Sequence, residues 1–119
     1  MKADKAASAF AALAQETRLA IVRRLVKEGP DGLPAGAIAN ACGVSPSNVS
    51  FHLKELEHAG LIEARREARS IIYSAAHEGL RDLIAYLMKD CCGGRPEICA
   101  PVLADPCCAP AKSRKRVHA

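Results

Sequence analysis

Six cysteines stand in a chain of 119 residues, and five of them fall within the last 29. Cys91 and Cys92 are adjacent, Cys99 follows after Gly93, Gly94 and Pro96, and Cys107–Cys108 repeats the pair farther on. Neighbouring thiols make a strained disulfide with each other. As thiolates they are well placed to share one soft ion, and the two glycines let the backbone turn so that a third sulfur can join. Structural zinc takes four tetrahedral ligands, commonly from paired C-x-x-C motifs, and no C-x-x-C occurs here. Other donors in the tail reduce to Glu97, Asp105 and His118. Trivalent arsenic or antimony carries a lone pair and bonds three thiolates in a pyramid, a count that Cys91, Cys92 and Cys99 match. Cys107 and Cys108 are optional members of the site. Two thiolates alone, Cys91 and Cys92, would suit methylarsenite. Cys42 sits alone beside a turn and reads as a small packed hydrophobe.

Other chemistries compete for the same thiols. Exposed thiols of low pKa near positive charge oxidise readily, so the tail could be a switch for oxidants or reactive sulfur. A cysteine-rich metal carrier or a thiol enzyme is the reading from a different class. No general base stands beside the cysteines, no Gly-rich phosphate loop is present and no Ser/His/Asp order appears, so catalysis has no visible apparatus. The chain is therefore expected not to be an enzyme. An inert tail is the blandest reading, and five cysteines argue against it.

These thiols must be positioned by something, and the composition changes at Cys91. Residues 91–119 lack periodicity and are rich in Pro and Gly, as in a flexible tail; residues 1–90 carry the helical patterns of a folded domain. Its organising stretch is Val44 to Gly60. Ser45 is suited to N-cap a helix, Pro46 falls at the first helical position, and Gly60 closes it. Val49, Leu53 and Leu56 form one apolar stripe. The outward face carries Ser47, Phe51, Lys54 and His58, with Asn48 and Glu55 at its edge. Small hydrogen-bonding residues, a lysine and an exposed aromatic are what a helix entering a DNA major groove presents. Leu61–Arg66 and Ser70–Ser74 then read as two strands joined by Glu67-Ala68-Arg69, a β-hairpin with a basic tip. Helix followed by such a hairpin is the winged helix-turn-helix pattern, in which the helix reads bases and wing arginines reach phosphates or a minor groove.

The stretch SPSNVSFHLKELEHAGLIEARREARSIIYS resembles the recognition helix and wing of the ArsR/SmtB family of metal-responsive repressors. The residues that carry the resemblance are Ser45, Val49, Ser50, His52, Leu53, Leu56, Ala59, Gly60 and Leu61, followed by the Arg-rich hairpin. A looser similarity runs back to Phe10, through Leu13, Glu16, Thr17, Arg18 and Leu19. The resemblance implies a dimeric repressor of double-stranded operator DNA. It implies DNA contacts from Ser47, Asn48, Ser50, Phe51, His52 and Lys54 on the helix and from Arg65, Arg66 and Arg69 on the wing. His52, at the edge of the buried stripe, is expected to pack or cap, and His58 to meet phosphate or solvent. Arsenic-responsive relatives bear cysteine sets in varied places, some as a vicinal pair plus a third cysteine near the last helix, and this chain looks like that subgroup. Arsenite is then the inducer, with antimonite or methylarsenite as alternatives. Relatives with Cys-x-Cys before the recognition helix differ from this chain, which has Pro34 and Gly36 there. Zinc-sensing relatives carry paired histidines along the last helix, where this chain offers His77, Glu78, Asp82 and Asp90.

The remaining elements read in order. Ala6–Ala14 is a first amphipathic helix with Phe10 and Leu13 on one side. Thr17 is the expected cap for a second, in which Leu19, Val22, Leu25 and Val26 follow helical spacing. Gly29–Gly32 is a breaker cluster, and Pro34 opens a third helix, Ala35–Ala41. His77–Lys89 forms the last, with Leu80, Leu83, Ile84, Leu87 and Met88 in a stripe too broad for one partner. The expected fold is mainly α with a β-hairpin wing, in the order α-α-α-α-β-β-α, dimerising through the first and last helices. The net charge is +4, and Lys112, Arg114, Lys115 and Arg116 supply all of it. The rest of the chain is balanced, so DNA affinity must rest on local charge doubled by a dimer. The N-terminus has no signal-peptide pattern and no run is long enough to span a bilayer, so a cytoplasmic protein with no membrane partner is expected.

Overall fold

The computed structural model describes residues 1–89. The helices are α1 (Ala3–Leu13), α2 (Glu16–Glu28), α3 (Ala35–Cys42), α4 (Pro46–His58) and α5 (His77–Met88). The strands are β1 (Leu33–Pro34), β2 (Ile62–Glu67) and β3 (Ser70–Ala75), and a single 3₁₀ turn, Gly29–Asp31, links α2 to β1. The result is mainly helical with an antiparallel wing, in the expected order of elements except for the added strand β1 before α3.

The core is aliphatic. Ile21 and Leu25 of α2, Ile38 of α3 and Val49, Leu53 and Leu56 of α4 are fully buried, with Leu61 from the chain just after α4. Burying each such side chain contributes roughly 1.5–3 kcal/mol. Among the described residues no polar or charged side chain is buried, so the core contains no cost of that kind.

Two inner faces, those of α1 and α2, differ from the pattern expected from sequence, and that of α5 follows it. On α1 the packed stripe is Ala6, Ala9 and Ala12, and Phe10 is 38% exposed. Alanines let a helix approach closely, which leaves the bulkier ring outside. On α2 the buried residues are Ile21, Val22 and Leu25, whereas Leu19 and Val26 are exposed. The latter two lie about 100° of helix rotation from the buried line. The cap of α2 is Gln15, whose Oε1 accepts the Arg18 N–H at 2.9 Å, and Thr17 lies inside the helix. On α5 only Leu83 is buried, while Ile84 and Leu87 are exposed, so within one protomer much of that broad stripe is uncovered.

The sheet has three strands in the order β1-β3-β2. β1, absent from the sequence reading, pairs Leu33 with Tyr73 and Pro34 with Ile72. β2 and β3 pair from Ile62–Ala75 at the root to Glu67–Ser70 at the tip. The tip is therefore a two-residue turn, Ala68-Arg69, with Ala68 at φ 56°. At the root, α5 crosses close over the end of α4: a Cβ on Gly79 would run into the carbonyl oxygen of Gly60.

Candidate nucleic-acid interface

α4 is built by its local sequence. The Ser45 hydroxyl accepts the Asn48 N–H at 3.3 Å, and Pro46 occupies the first turn, where its missing N–H costs nothing. At the other end Leu61 N–H bonds the Leu56 carbonyl and Gly60 N–H bonds that of Glu57, both at 3.0 Å, with Gly60 at φ 78°. That pairing needs a left-handed residue, which glycine supplies. The stripe Val49, Leu53, Leu56 faces the core as expected.

The opposite face is open. Ser47, Asn48, Ser50, Phe51 and Lys54 are exposed, and Phe51 is 58% so. An exposed phenylalanine on a capped, otherwise polar face is available for an apolar contact such as a thymine methyl. The Ser50 hydroxyl donates back to the Pro46 carbonyl at 3.2 Å, so its hydrogen is used within the helix and its lone pairs are free. His52 is half-buried. Its Nδ1 lies 3.2 Å from Nη1 of Arg18, and its ring meets Phe51 edge-on with centroids 5.5 Å apart. Burial, and then the Arg18 charge, push the His52 pKa below its ordinary value, so the ring is held neutral. His58 is exposed.

The wing arginines divide into two kinds. Arg66, opposite the exposed Ile71, and Arg69, in the turn, are exposed and carry no ion pair among the described residues. Arg65 is held in place. Its Nε donates to Glu67 at 2.8 Å, its Nη1 to the Pro30 carbonyl at 3.0 Å and its Nη2 to the Asp31 carbonyl at 2.8 Å. It reaches from β2 to the 3₁₀ turn, so two of its five N–H groups fasten the wing to that turn and a third holds Glu67 near the tip. No local pattern announces the tie to the turn, because the two carbonyls it meets lie 34 and 35 residues away.

The proposed arsenic ligands, Cys91, Cys92, Cys99, Cys107 and Cys108, lie outside the described residues. Cys42 is half-buried against the core, and burial raises its thiol pKa despite Arg24 nearby. A thiol so placed stays protonated and is a poor nucleophile or ligand. Among the described residues no three His, Cys, Asp or Glu side chains cluster as a metal cage, and no helix is long and apolar enough to cross a membrane.

A capped helix with its polar face open, followed by an arginine-bearing hairpin, defines a winged helix-turn-helix DNA-binding domain. Residues 13–65 match a helix-turn-helix domain profile. The chain is 34% identical over 90 residues to the HTH-type transcriptional regulator YgaV of Escherichia coli strain K12, an alignment covering 76% of this chain and 89% of that one. Its fold is similar to the homodimeric winged helix-turn-helix domain of Mb0332 from Mycobacterium bovis, described as a possible ArsR-family transcriptional regulator. That match has a TM-score of 0.61, 35% identity and coverage of 71% of this chain and 76% of the other. It is also similar to an ArsR-like transcriptional regulator from Rhodococcus sp. RHA1, at a TM-score of 0.67 and 29% identity over 87% and 95% of the two chains. The chain belongs to the ArsR/SmtB family, whose members are transcriptional regulators that bind DNA and are not enzymes.

Proposed function

We propose that this protein represses transcription as a two-fold homodimer on operator DNA and leaves that DNA when Cys91, Cys92 and Cys99 bind one trivalent arsenic per protomer. The observation that supports the DNA half most strongly is the open face of α4: Asn48, Phe51 and Lys54 exposed on a rigidly capped helix. Asn48 is suited to an adenine edge and Phe51 to a thymine methyl, and loss of a good base contact costs about 1–3 kcal/mol. Ser47, Ser50 and His52 flank them, and Arg66 and Arg69, without an ion pair among the described residues, offer their charge to phosphates. Alanine at Asn48, Phe51 and Lys54 together should abolish operator preference at fixed salt; unchanged affinity would contradict the assignment.

Assembly is supported by apolar side chains left open on the first and last helices, namely Phe10, Ile84 and Leu87. A homodimer burying them places two recognition helices on half-sites about 10 bp or a multiple apart. Aspartate at Ile84 and Leu87 should give a folded monomer in sedimentation, with operator affinity largely lost.

The inducer half rests on thiol chemistry. Three cysteines without a C-x-x-C pattern suit a three-coordinate thiophilic ion better than zinc. Binding should release protons as thiols become thiolates. The set begins three residues after α5 ends at Met88, so drawing Cys99 to Cys91 and Cys92 would pull on the dimer helix. Serine at all three should leave DNA binding intact and remove the response to arsenite, whereas serine at Cys42 should not. Cys107 and Cys108 are expected to contribute little, because only further chain joins them to the helix.

A further inference from the structure

Arg18 begins on α2, but its side chain serves three elements. Its Nε donates to the Ala12 carbonyl at the end of α1, at 2.7 Å, and its Nη1 lies 3.2 Å from Nδ1 of His52 in the middle of α4. The Gln15 cap takes its backbone N–H and so fixes where the side chain starts. A guanidinium is always protonated and can only donate. Nδ1 of His52 must therefore accept, and the neutral ring carries its proton on Nε2. Burial and the neighbouring positive charge both disfavour a second proton on that ring. Beside the guanidinium, an open cleft of about 320 Å³ is lined by Ser8, Ala11 and Ala12 of α1 and by Glu55 and His58 of α4. At the cleft, a polar bridge through Arg18 joins the two helices.

We propose that Arg18 is a positioning residue for DNA binding: it holds His52 as the Nε2–H tautomer, ready to donate to a DNA phosphate, and it passes a displacement of α1 to the recognition helix. The ring it orients sits against the exposed Phe51, on the DNA-facing helix. The carbonyl that anchors it belongs to α1, whose outer face is left open at Phe10. A shift of α1 at that open face would move the Ala12 carbonyl, and through Arg18 the imidazole. The inference rests on the DNA-binding reading of α4 given above.

The test combines ring ¹⁵N NMR of the full chain with operator titrations of R18Q, R18K, H52Q and the R18Q/H52Q double variant at one salt and pH, each checked for folding by circular dichroism. The wild-type spectrum should show His52 as the Nε2–H tautomer, and an Nδ1–H tautomer overturns the proposal without any variant. R18Q should lose affinity about tenfold, and R18K should resemble it, because a lysine ammonium lacks the rigid planar fork that aims separate N–H groups at the Ala12 carbonyl and at His52. The double variant should bind no worse than the weaker single one, as coupled residues do. Additive losses, or an R18K that binds like wild type, overturn the proposal. Wild type failing to bind any operator refutes the DNA reading itself; wild type binding while R18Q binds equally well refutes only the role of Arg18.

Discussion

Replacing Arg65 with alanine separates a residue that holds the wing from the arginines proposed to touch DNA. The guanidinium makes three hydrogen bonds of 2.8–3.0 Å, two of them to backbone carbonyls of the turn before β1. The side chain is 41% exposed, so water replaces much of what is lost, and the expected destabilisation is only about 1 kcal/mol. On DNA the variant should bind several-fold more weakly, because the wing is loosened from the turn before β1. Its salt dependence should not change, since no phosphate contact is removed. Arg66→Ala or Arg69→Ala should behave differently. Each removes one counterion-releasing contact per protomer, so the slope of log affinity against log salt should fall by about 1.8 for a dimer. Over a fourfold rise in salt, from about 50 to 200 mM, that makes the variant's loss of affinity roughly twelvefold smaller than wild type's. Fluorescence anisotropy of a labelled operator at four salt concentrations reads all three slopes. An Arg65→Ala slope reduced as much as that of Arg66→Ala would refute the division between the wing arginines.

Gly79→Ala should drive a methyl into the Gly60 carbonyl, and with backbone on both sides nothing yields cheaply; a loss of about 1–3 kcal/mol in thermal or denaturant unfolding is expected. Ala68→Gly should stabilise the wing by up to about 1 kcal/mol, because Ala68 holds φ 56°, where glycine carries no Cβ penalty; unchanged or lower stability would contradict the strain. His52 has a folded pKa below its unfolded value, so the folded state binds fewer protons. Its contribution to stability is complete above about pH 6.5 and is lost as pH falls through the lower folded value. Arg18→Gln should weaken that acid dependence in melts taken between neutral and mildly acidic pH.

What was legible in the sequence is what is local. The recognition helix declares itself through Ser45, Pro46, Gly60 and a stripe at helical spacing, and all of these are found where expected. The hairpin was legible to within a residue at each strand, since β-branched residues and arginines bracket the turn. β1 was not, because two residues have no period and exist as a strand only by pairing with Tyr73 and Ile72. Nor could hydrophobicity choose the inner faces of α1 and α2. Close approach favoured Ala6, Ala9 and Ala12 over Phe10, and the turn of α2 left Leu19 and Val26 outside. Gln15 was missed as a cap because its longer side chain is not among those usually favoured there. Arg18 and Arg65 were invisible as fasteners for a shared reason: His52, Pro30 and Asp31 lie 34 or 35 residues away. The thiol set rests on the sequence alone.

The most direct measurement is the operator affinity of the full chain, by anisotropy at fixed salt, without ligand and with stoichiometric arsenite, zinc or peroxide. It is repeated on the variant with serine at Cys91, Cys92 and Cys99. Arsenite should weaken wild-type binding by roughly 5–150-fold, the usual span of a coupling free energy, and operator DNA should weaken arsenite binding by the same factor. Zinc should do little, and the triple variant should bind DNA as wild type does and ignore arsenite. A triple variant that still leaves its operator on arsenite addition contradicts the assigned thiols; release by peroxide at levels where arsenite does nothing replaces arsenic sensing with a thiol-oxidation switch.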